Sequence, residues 1–194
     1  ARDSSGEPAV LWTFYPPAGE AWSVTIEPQT PPGMDPARWQ YRLLRIEGPI
    51  GQFVYADAET PVIFIAGGTG FAPVKAMLRA ALERGAARDI WFYWGARTPT
   101  DLYEEQLVRG WEARYPRFHF AGVLSETPTQ APEADRYAHG WVHETVLARH
   151  PDLSGHEVYA AGPPAMIEAI RAQFPARGLA ADRLHFDSFD YAPR

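Results

Sequence analysis

At 194 residues, 46% hydrophobic and 22% charged, the chain has the make-up of one ordinary globular domain or two small ones and is long enough to bury a real core. A net charge of −6 gives no reason to expect nucleic acid or an anionic membrane as a partner. With no cysteine, the chain excludes disulfides, thiol nucleophiles and cysteine-held zinc or iron–sulfur centres within itself.

No apolar run reaches the ~18–20 residues of a bilayer span, and no charged-then-apolar stretch resembles a secretion signal, so the cytoplasm is the expected compartment. Up to about residue 60, "AVLWTFYPP" and "AWSVTIEP" read as strands closed by proline, and "TPPGMDPARW" as a loop. "YRLLRIEGPIGQFVYADAETP" then gives a strand, a turn and another strand. This is antiparallel β material.

From residue 61 the rhythm becomes strand, turn, helix. Val62, Ile63, Phe64 and Ile65 make a strand at 61–66, followed by a helix at about 72–84 with Val74, Met77, Leu78 and Ala81 inward. "DIWFYWG" is a strand at 89–95, and a helix from Thr100 to about 114 carries Tyr103, Leu107 and Trp111 on one side. Strands follow at 117–125 ("RFHFAGVLS") and 157–162 ("EVYAAG"), with a short helix at about 140–149 between them. A helix at about 164–174 has Met166, Ile167, Ile170 and Phe174 inward, and "RLHFDSF" closes the series. Helices between successive strands predict a doubly wound parallel sheet with helices on both faces, preceded by a partial antiparallel β-barrel. The expected division is 1–57 and 58–194.

Between strand and helix, "AGGTGFAP" places Gly67, Gly68, Thr69 and Gly70 where ligands of such sheets bind. A helix start offers unpaired N–H groups and partial positive charge, and glycine removes the Cβ that would hold a phosphate away. Thr69 adds a hydroxyl, and Pro73 suits a first helical turn. The competing reading is a tight strand-to-helix turn whose glycines serve packing alone.

Those residues resemble the pyridine-nucleotide pyrophosphate loop of the ferredoxin–NADP reductase family. "RIEGPIGQFVY" resembles the end of that family's flavin-binding barrel, and "FYWGARTPTDLYEEQL" the strand and helix that border the adenosine. "VYAAGPPAMIEAI" resembles the segment beside the nicotinamide, and "RLHFDSF" the terminal strand. The Tyr-Trp-Gly-x-Arg and Gly-Trp-Val-His stretches look most like bacterial flavin reductases and the reductases that feed deoxysugar dehydratases.

The resemblance implies that Gly67, Gly68, Thr69, Gly70 and Pro73 hold the pyrophosphate, and that Gly95, Arg97 and Tyr103 border the adenosine. Ala161, Gly162 and Pro163 would lie beside the nicotinamide, Ala161 standing where most members have cysteine. "ARTPTDLY" offers one arginine and then Asp101, which favours NADH over NADPH. Phe189, with Phe186, would lie against the ring of a flavin, FAD or FMN. Arg2 and Ser5 read as remnants of the Arg-x-Tyr-Ser flavin motif, with Ser4 in place of tyrosine.

Only about sixty residues stand where the family has a whole barrel. The barrel is then completed by another chain or a second copy in a homodimer, or the sequence is a fragment, or the region has been rebuilt without flavin. The implied function is hydride transfer from NAD(P)H to flavin and electron delivery to an acceptor, any iron–sulfur relay belonging to a partner protein or a missing segment. No side chain acts as a catalytic acid, base or nucleophile. The alternatives are reduction of free flavin, and a non-enzymatic module that binds a nucleotide or a partner. Met166 reads as core, and Glu104 and Glu105 as a solvated helix face. His139 and His143, four apart on a helix, are considered as a metal pair, but no third ligand has a claim and no metal is expected.

Overall fold

The computed structural model of the protein describes residues 22–26, 44–48, 53–56, 58–85, 87–126 and 136–188. These belong to two compact units, one within residues 10–52 and one containing everything from Phe53 onward. In the first, β1 (Trp22–Ile26) pairs antiparallel with β2 (Leu44–Gly48), Val24 opposite Ile46. The other strands of the expected barrel lie outside the described residues, apart from Phe53–Ala56, which has no strand pairing and belongs to the second unit.

The second unit is built on β3 (Val62–Gly67), whose six residues are all buried. A strand covered on both faces needs no polar alternation, which explains its unbroken apolar run. It pairs in parallel with β4 (Ile90–Ala96) on one side and β7 (Glu157–Gly162) on the other. With β5 (Phe118–Leu124), β6 (Ala138–His139) and β8 (Leu184–Ser188), the order across the sheet is β6-β5-β4-β3-β7-β8. Every pairing in this sheet is parallel, as the alternation of strands and helices predicts.

Alternate side chains of each strand feed two cores. Phe64, Phe92, Trp94 and Tyr159 face helix α1 (Phe71–Glu83), whose Phe71, Val74, Met77, Leu78, Ala81 and Leu82 are buried, and helix α2 (Glu105–Arg114) through Val108. Ile63, Ile65, Tyr93 and Val158 face α3 (Val142–Arg149) and α4 (Pro164–Gln173), which contribute Val142, Val146, Ile167 and Ile170. Each fully buried side chain of this size stabilises the fold by ~1.5–3 kcal/mol. The exposed Arg79–Glu83 pair on α1, at 3.2 Å, adds only ~0.5 kcal/mol, so apolar burial holds the helix in place.

Two local readings change. The helix expected from Thr100 begins only at Glu105. Thr98 and Asp101 form a capping box around a separate 3-10 turn with Pro99 in its first position, and Leu102 at φ −84, ψ 61 breaks helical geometry. Tyr103 therefore stands in the connection ahead of α2. The second change is β6, too short to carry a pattern of its own; it takes His139 out of the helix that holds His143, with Gly140 at φ 110 between them. The two imidazoles do not share a helix face, and among the described residues no group of three or more His, Asp or Glu side chains is placed to hold a metal.

At the amino edge of the sheet, Arg88 ties the incoming segment down. Its side chain is 1% exposed and donates to the carbonyls of Ala56 and Thr60, to Tyr55 Oη and, at 3.0 Å, to Glu157 Oε2. Glu157 Oε1 accepts from the Tyr159 hydroxyl and lies 3.0 Å from His185 Nε2. Glu157, Tyr159 and His185 belong to the quoted strands, but nothing in the sequence points to Arg88, because a charged side chain in a loop carries no burial signal of its own.

Candidate functional site

The strand order reverses direction at β3 and β7. Helix α1 leaves β3 toward one face and α4 leaves β7 toward the other, so a crevice opens beyond the carboxyl ends of these two neighbours. Gly67, Gly68, Thr69 and Gly70 lie at one wall of it, and Ala161, Gly162 and Pro163 at the other.

The glycines do different work. A Cβ on Gly70 would lie 2.0 Å from the carbonyl oxygen of Ala161, and one on Gly67 would lie 2.7 Å from Pro163 Cδ and 2.8 Å from Met166 Sδ. A Cβ on Gly162 would reach Met166 Cε at 2.7 Å and Gly67 Cα at 3.0 Å. These three let the two walls touch. Gly68 is the exception: its φ is +53, and a Cβ there would meet nothing within 4 Å. Its backbone therefore faces open space in a conformation that glycine adopts without strain.

Gly68 to Gly70 form a 3-10 turn that runs directly into α1, so their N–H groups are those that a helix start leaves without acceptors inside the helix. Thr69 is exposed within this turn, and Pro73 occupies the first turn of α1, where a missing N–H is harmless. A cradle of this kind, with the amides of a helix start, open space at Gly68 and a helix dipole, fits the diphosphate of a dinucleotide.

Beside the cradle stands an aromatic group. Trp94, fully buried in β4, donates from Nε1 to the Gly68 carbonyl at 3.1 Å and stacks on Phe71 at 4.0 Å between centroids. Tyr103 meets Trp94 edge-on at 5.2 Å and is 40% exposed, presenting a ring edge at the β4 end of the crevice. Burial, with a smaller push from Glu104, raises its phenol to about 12, so the hydroxyl stays protonated. Glu104 lies 2.5 Å from Lys75 on α1, and Glu105 pairs with Arg109 and Arg136 and accepts from the Tyr137 hydroxyl. The two glutamates are thus half-buried ties between elements instead of a solvated face.

Arg97 is exposed just past β4, and its carbonyl accepts the Glu126 N–H. Asp101 Oδ2 receives both the backbone N–H and the hydroxyl of Thr98 at 2.9 Å, which fixes a carboxylate next to that arginine. Gly95 is closed over by α3: a Cβ there would lie 3.0 Å from Val142 Cβ. Met166 is half-buried against the α3–α4 core, as its spacing predicts. Phe186 is 41% exposed with the Arg171 guanidinium 5.1 Å from its ring centroid, while Phe189, Arg2 and Ser5 lie outside the described residues. The residue that sequence reasoning passes over is Trp94; its place inside the Tyr-Trp-Gly-x-Arg stretch was visible, its bond to Gly68 was not.

Comparison with known proteins agrees with this geometry. The family model described as the oxidoreductase NAD-binding domain matches residues 64–172, from β3 through most of α4. The chain is 39% identical over 148 residues to the CDP-6-deoxy-L-threo-D-glycero-4-hexulose-3-dehydrase reductase of Yersinia pestis, covering 76% of this chain and 44% of that protein. It is 33% identical over 151 residues to the reductase component 1 of terephthalate 1,2-dioxygenase from Comamonas sp, with 77% and 44% covered. Among solved structures, the Amycolatopsis cytochrome P450 reductase GcoB superposes with a TM-score of 0.69 at 32% identity, covering 76% of this chain and 44% of that one. The chain therefore spans less than half the length of the curated relatives it matches. A parallel sheet with its glycine turn at the reversal of strand order and a matching family model over more than half the residues lead to one assignment: the chain belongs to the oxidoreductase NAD-binding domain family, with the ferredoxin–NADP reductase-like fold.

Proposed function

We propose that the chain is the nicotinamide-nucleotide-binding part of an NAD(P)H-dependent reductase that passes electrons by way of a flavin to a partner protein. The observation that carries this reading is Gly68, at positive φ with empty space where its side chain would be, in the crevice between β3 and β7. NAD(P)H and flavin supply the hydride chemistry when bound. The protein's own part is to bind and orient. The N–H groups of Gly68, Thr69 and Gly70 take the diphosphate, Tyr103 and Arg97 border the adenosine, and Gly162 and Pro163 form the wall beside the nicotinamide. Such positioning replaces an encounter between free reactants by a fixed one, and no acid or base is needed.

NADH is the preferred coenzyme in this reading, because the fixed carboxylate of Asp101 stands at the β4 end, where a 2′-phosphate would add charge. With no cysteine among these 194 residues, any one-electron iron–sulfur transfer falls to a partner protein or to a further segment of the same polypeptide, in keeping with relatives that are named as reductase components. The N-terminal region supplies flavin contacts, from this chain alone or completed by a second copy, and the cytoplasm is the compartment.

The test is calorimetric titration of the purified chain with NADH, together with a visible spectrum before and after addition of FAD. Binding in the micromolar range, with NADH oxidation followed at ~340 nm once flavin is present, is the expected result. Absence of any heat or thermal shift at saturating NADH removes the assignment. Oxidation that saturates with added FMN or riboflavin, without retained flavin bands at ~450 nm, instead makes flavin a substrate.

A further inference from the structure

We infer that Trp94 is a positioning residue for the diphosphate: its indole N–H orients the Gly68–Thr69 peptide so that the Thr69 amide points into the crevice. The inference rests on the dinucleotide reading above and goes beyond it by assigning a role to a buried side chain that touches no ligand.

The geometry is direct. Trp94 Nε1 donates to the Gly68 carbonyl at 3.1 Å, and the indole is 0% exposed. The same carbonyl also takes the Phe71 N–H, so two donors from different elements fix it. In a trans peptide the C=O and the following N–H point in opposite directions. Trp94 belongs to β4, and β4 and β7 flank β3 on opposite sides. Turning the Gly68 carbonyl toward Trp94 therefore turns the Thr69 N–H toward β7 and the crevice.

At φ +53, with open space where a Cβ would be, Gly68 is not held by side-chain packing of its own, so the hydrogen bonds to its carbonyl set the orientation of the next peptide. The indole is itself rigidly held, by Phe71 stacked at 4.0 Å and Tyr103 edge-on at 5.2 Å. Phe71 is the first residue of α1 and Tyr103 stands at the adenosine side, so one ring links the loop, the helix start and the far end of the ligand. The ring of Trp94 fills the core, and the contact with Gly68 is made by its N–H, which a phenylalanine at this position would lack.

The experiment compares wild type with Trp94→Phe on the full chain, titrating ADP-ribose and adenosine separately and recording thermal melts. Loss of one aligned amide predicts roughly fivefold weaker ADP-ribose binding, with adenosine affinity unchanged. A merely structural role would weaken both ligands in the same ratio, and that outcome, or unchanged ADP-ribose affinity, overturns the inference. Should Trp94→Phe fail to fold, replacing Trp94 with benzothienylalanine removes only the N–H and keeps the ring's shape; the same selective loss is then expected, and its absence is decisive against. If wild type itself binds no ADP-ribose, the dinucleotide reading falls, and this inference with it.

Discussion

Gly70 and Ala161 are in backbone contact: a β-carbon on Gly70 would sit 2.0 Å from the Ala161 carbonyl oxygen. The turn after β3 and the end of β7 are therefore pressed together with no room for a side chain. A β-carbon on Gly68, two residues earlier, would meet nothing within 4 Å, and its φ is +53. Substitutions at the two positions separate packing from binding. Gly70→Ala should destabilise the fold by ~2 kcal/mol or more, since neither backbone can yield without disturbing the sheet. Gly68→Ala should cost only ~1–2 kcal/mol of conformational strain but weaken NADH by tenfold or so, because its Cβ enters the space proposed for the diphosphate. Thermal melts and NADH titration of both variants measure this, and a Gly68→Ala protein that binds NADH like wild type removes the phosphate seat from this loop.

At the other end of the sheet, the Arg88–Glu157 pair at 3.0 Å is nearly solvent-free. Arg88→Met leaves the Glu157 carboxylate buried beside Tyr159 and His185, with the carbonyls of Ala56 and Thr60 deprived of their donor. Breaking a buried pair in this way costs ~3–5 kcal/mol. Adding Glu157→Gln should return part of that loss, since no lone charge is then buried. Urea unfolding reads both values. NADH affinity of the folded fraction should not change, because the pair lies at the amino ends of the strands. A loss below ~1 kcal/mol in the single variant would show that water reaches the carboxylate.

The parallel sheet and its glycine turn were legible because burial on both faces forces continuous apolar strands, as in Val62 to Ile65, and helices of period 3.6 follow them. The division of labour among the glycines was not. Sequence treats Gly67, Gly68 and Gly70 alike, whereas the identity of Gly70 is set by the end of β7 and that of Gly67 by Pro163 and Met166 at the start of α4, almost a hundred residues away. Thr100 reads as the start of α2, but it lies inside a separate 3-10 turn capped by Thr98 and Asp101, and the buried Leu102 breaks the helical geometry before Glu105. Arg88 was missed for a related reason: its partners come from residues 55, 56, 60 and 157. Periodicity reports what a residue's own element does and is silent about what a loop residue finds across the fold.

His150, at the end of α3, gives the fold a pH dependence with a definite sign. Burial lowers its pKa from 6.5 to about 4, helped by His156 and Arg149, and its Nε2 lies 2.8 Å from the Tyr93 hydroxyl. The folded protein thus keeps this imidazole neutral, while the unfolded chain takes up a proton below 6.5. The associated stability is complete above pH 6.5 and is lost as pH falls from 6.5 toward about 4. His143 and His156, also lowered mainly by burial, act with the same sign. His150→Gln, which can still pair with Tyr93, should reduce the slope of stability against pH in this window by up to about one proton. Melts at a series of pH values test it; an unchanged slope would mean that His150 becomes solvated before the protein unfolds.

In the proposed reading, coenzyme choice turns on Asp101, whose carboxylate is held 2.9 Å from both the N–H and the hydroxyl of Thr98 just past β4. The adjoining Arg97 is exposed and is a single positive charge, whereas a 2′-phosphate brings nearly two negative ones to the same place. At a partly solvated surface, the repulsion between such a group and a fixed carboxylate amounts to ~1 kcal/mol or more, enough for about a fivefold preference for NADH. Asp101→Asn keeps an acceptor oxygen for Thr98, and with it the 3-10 turn, but removes the charge. The ratio of NADPH to NADH affinity should then rise by about fivefold, mainly through tighter NADPH binding, with little change in melting temperature. A variant that loses affinity for both coenzymes equally would assign Asp101 to the turn alone and leave the preference to Arg97 and Tyr103.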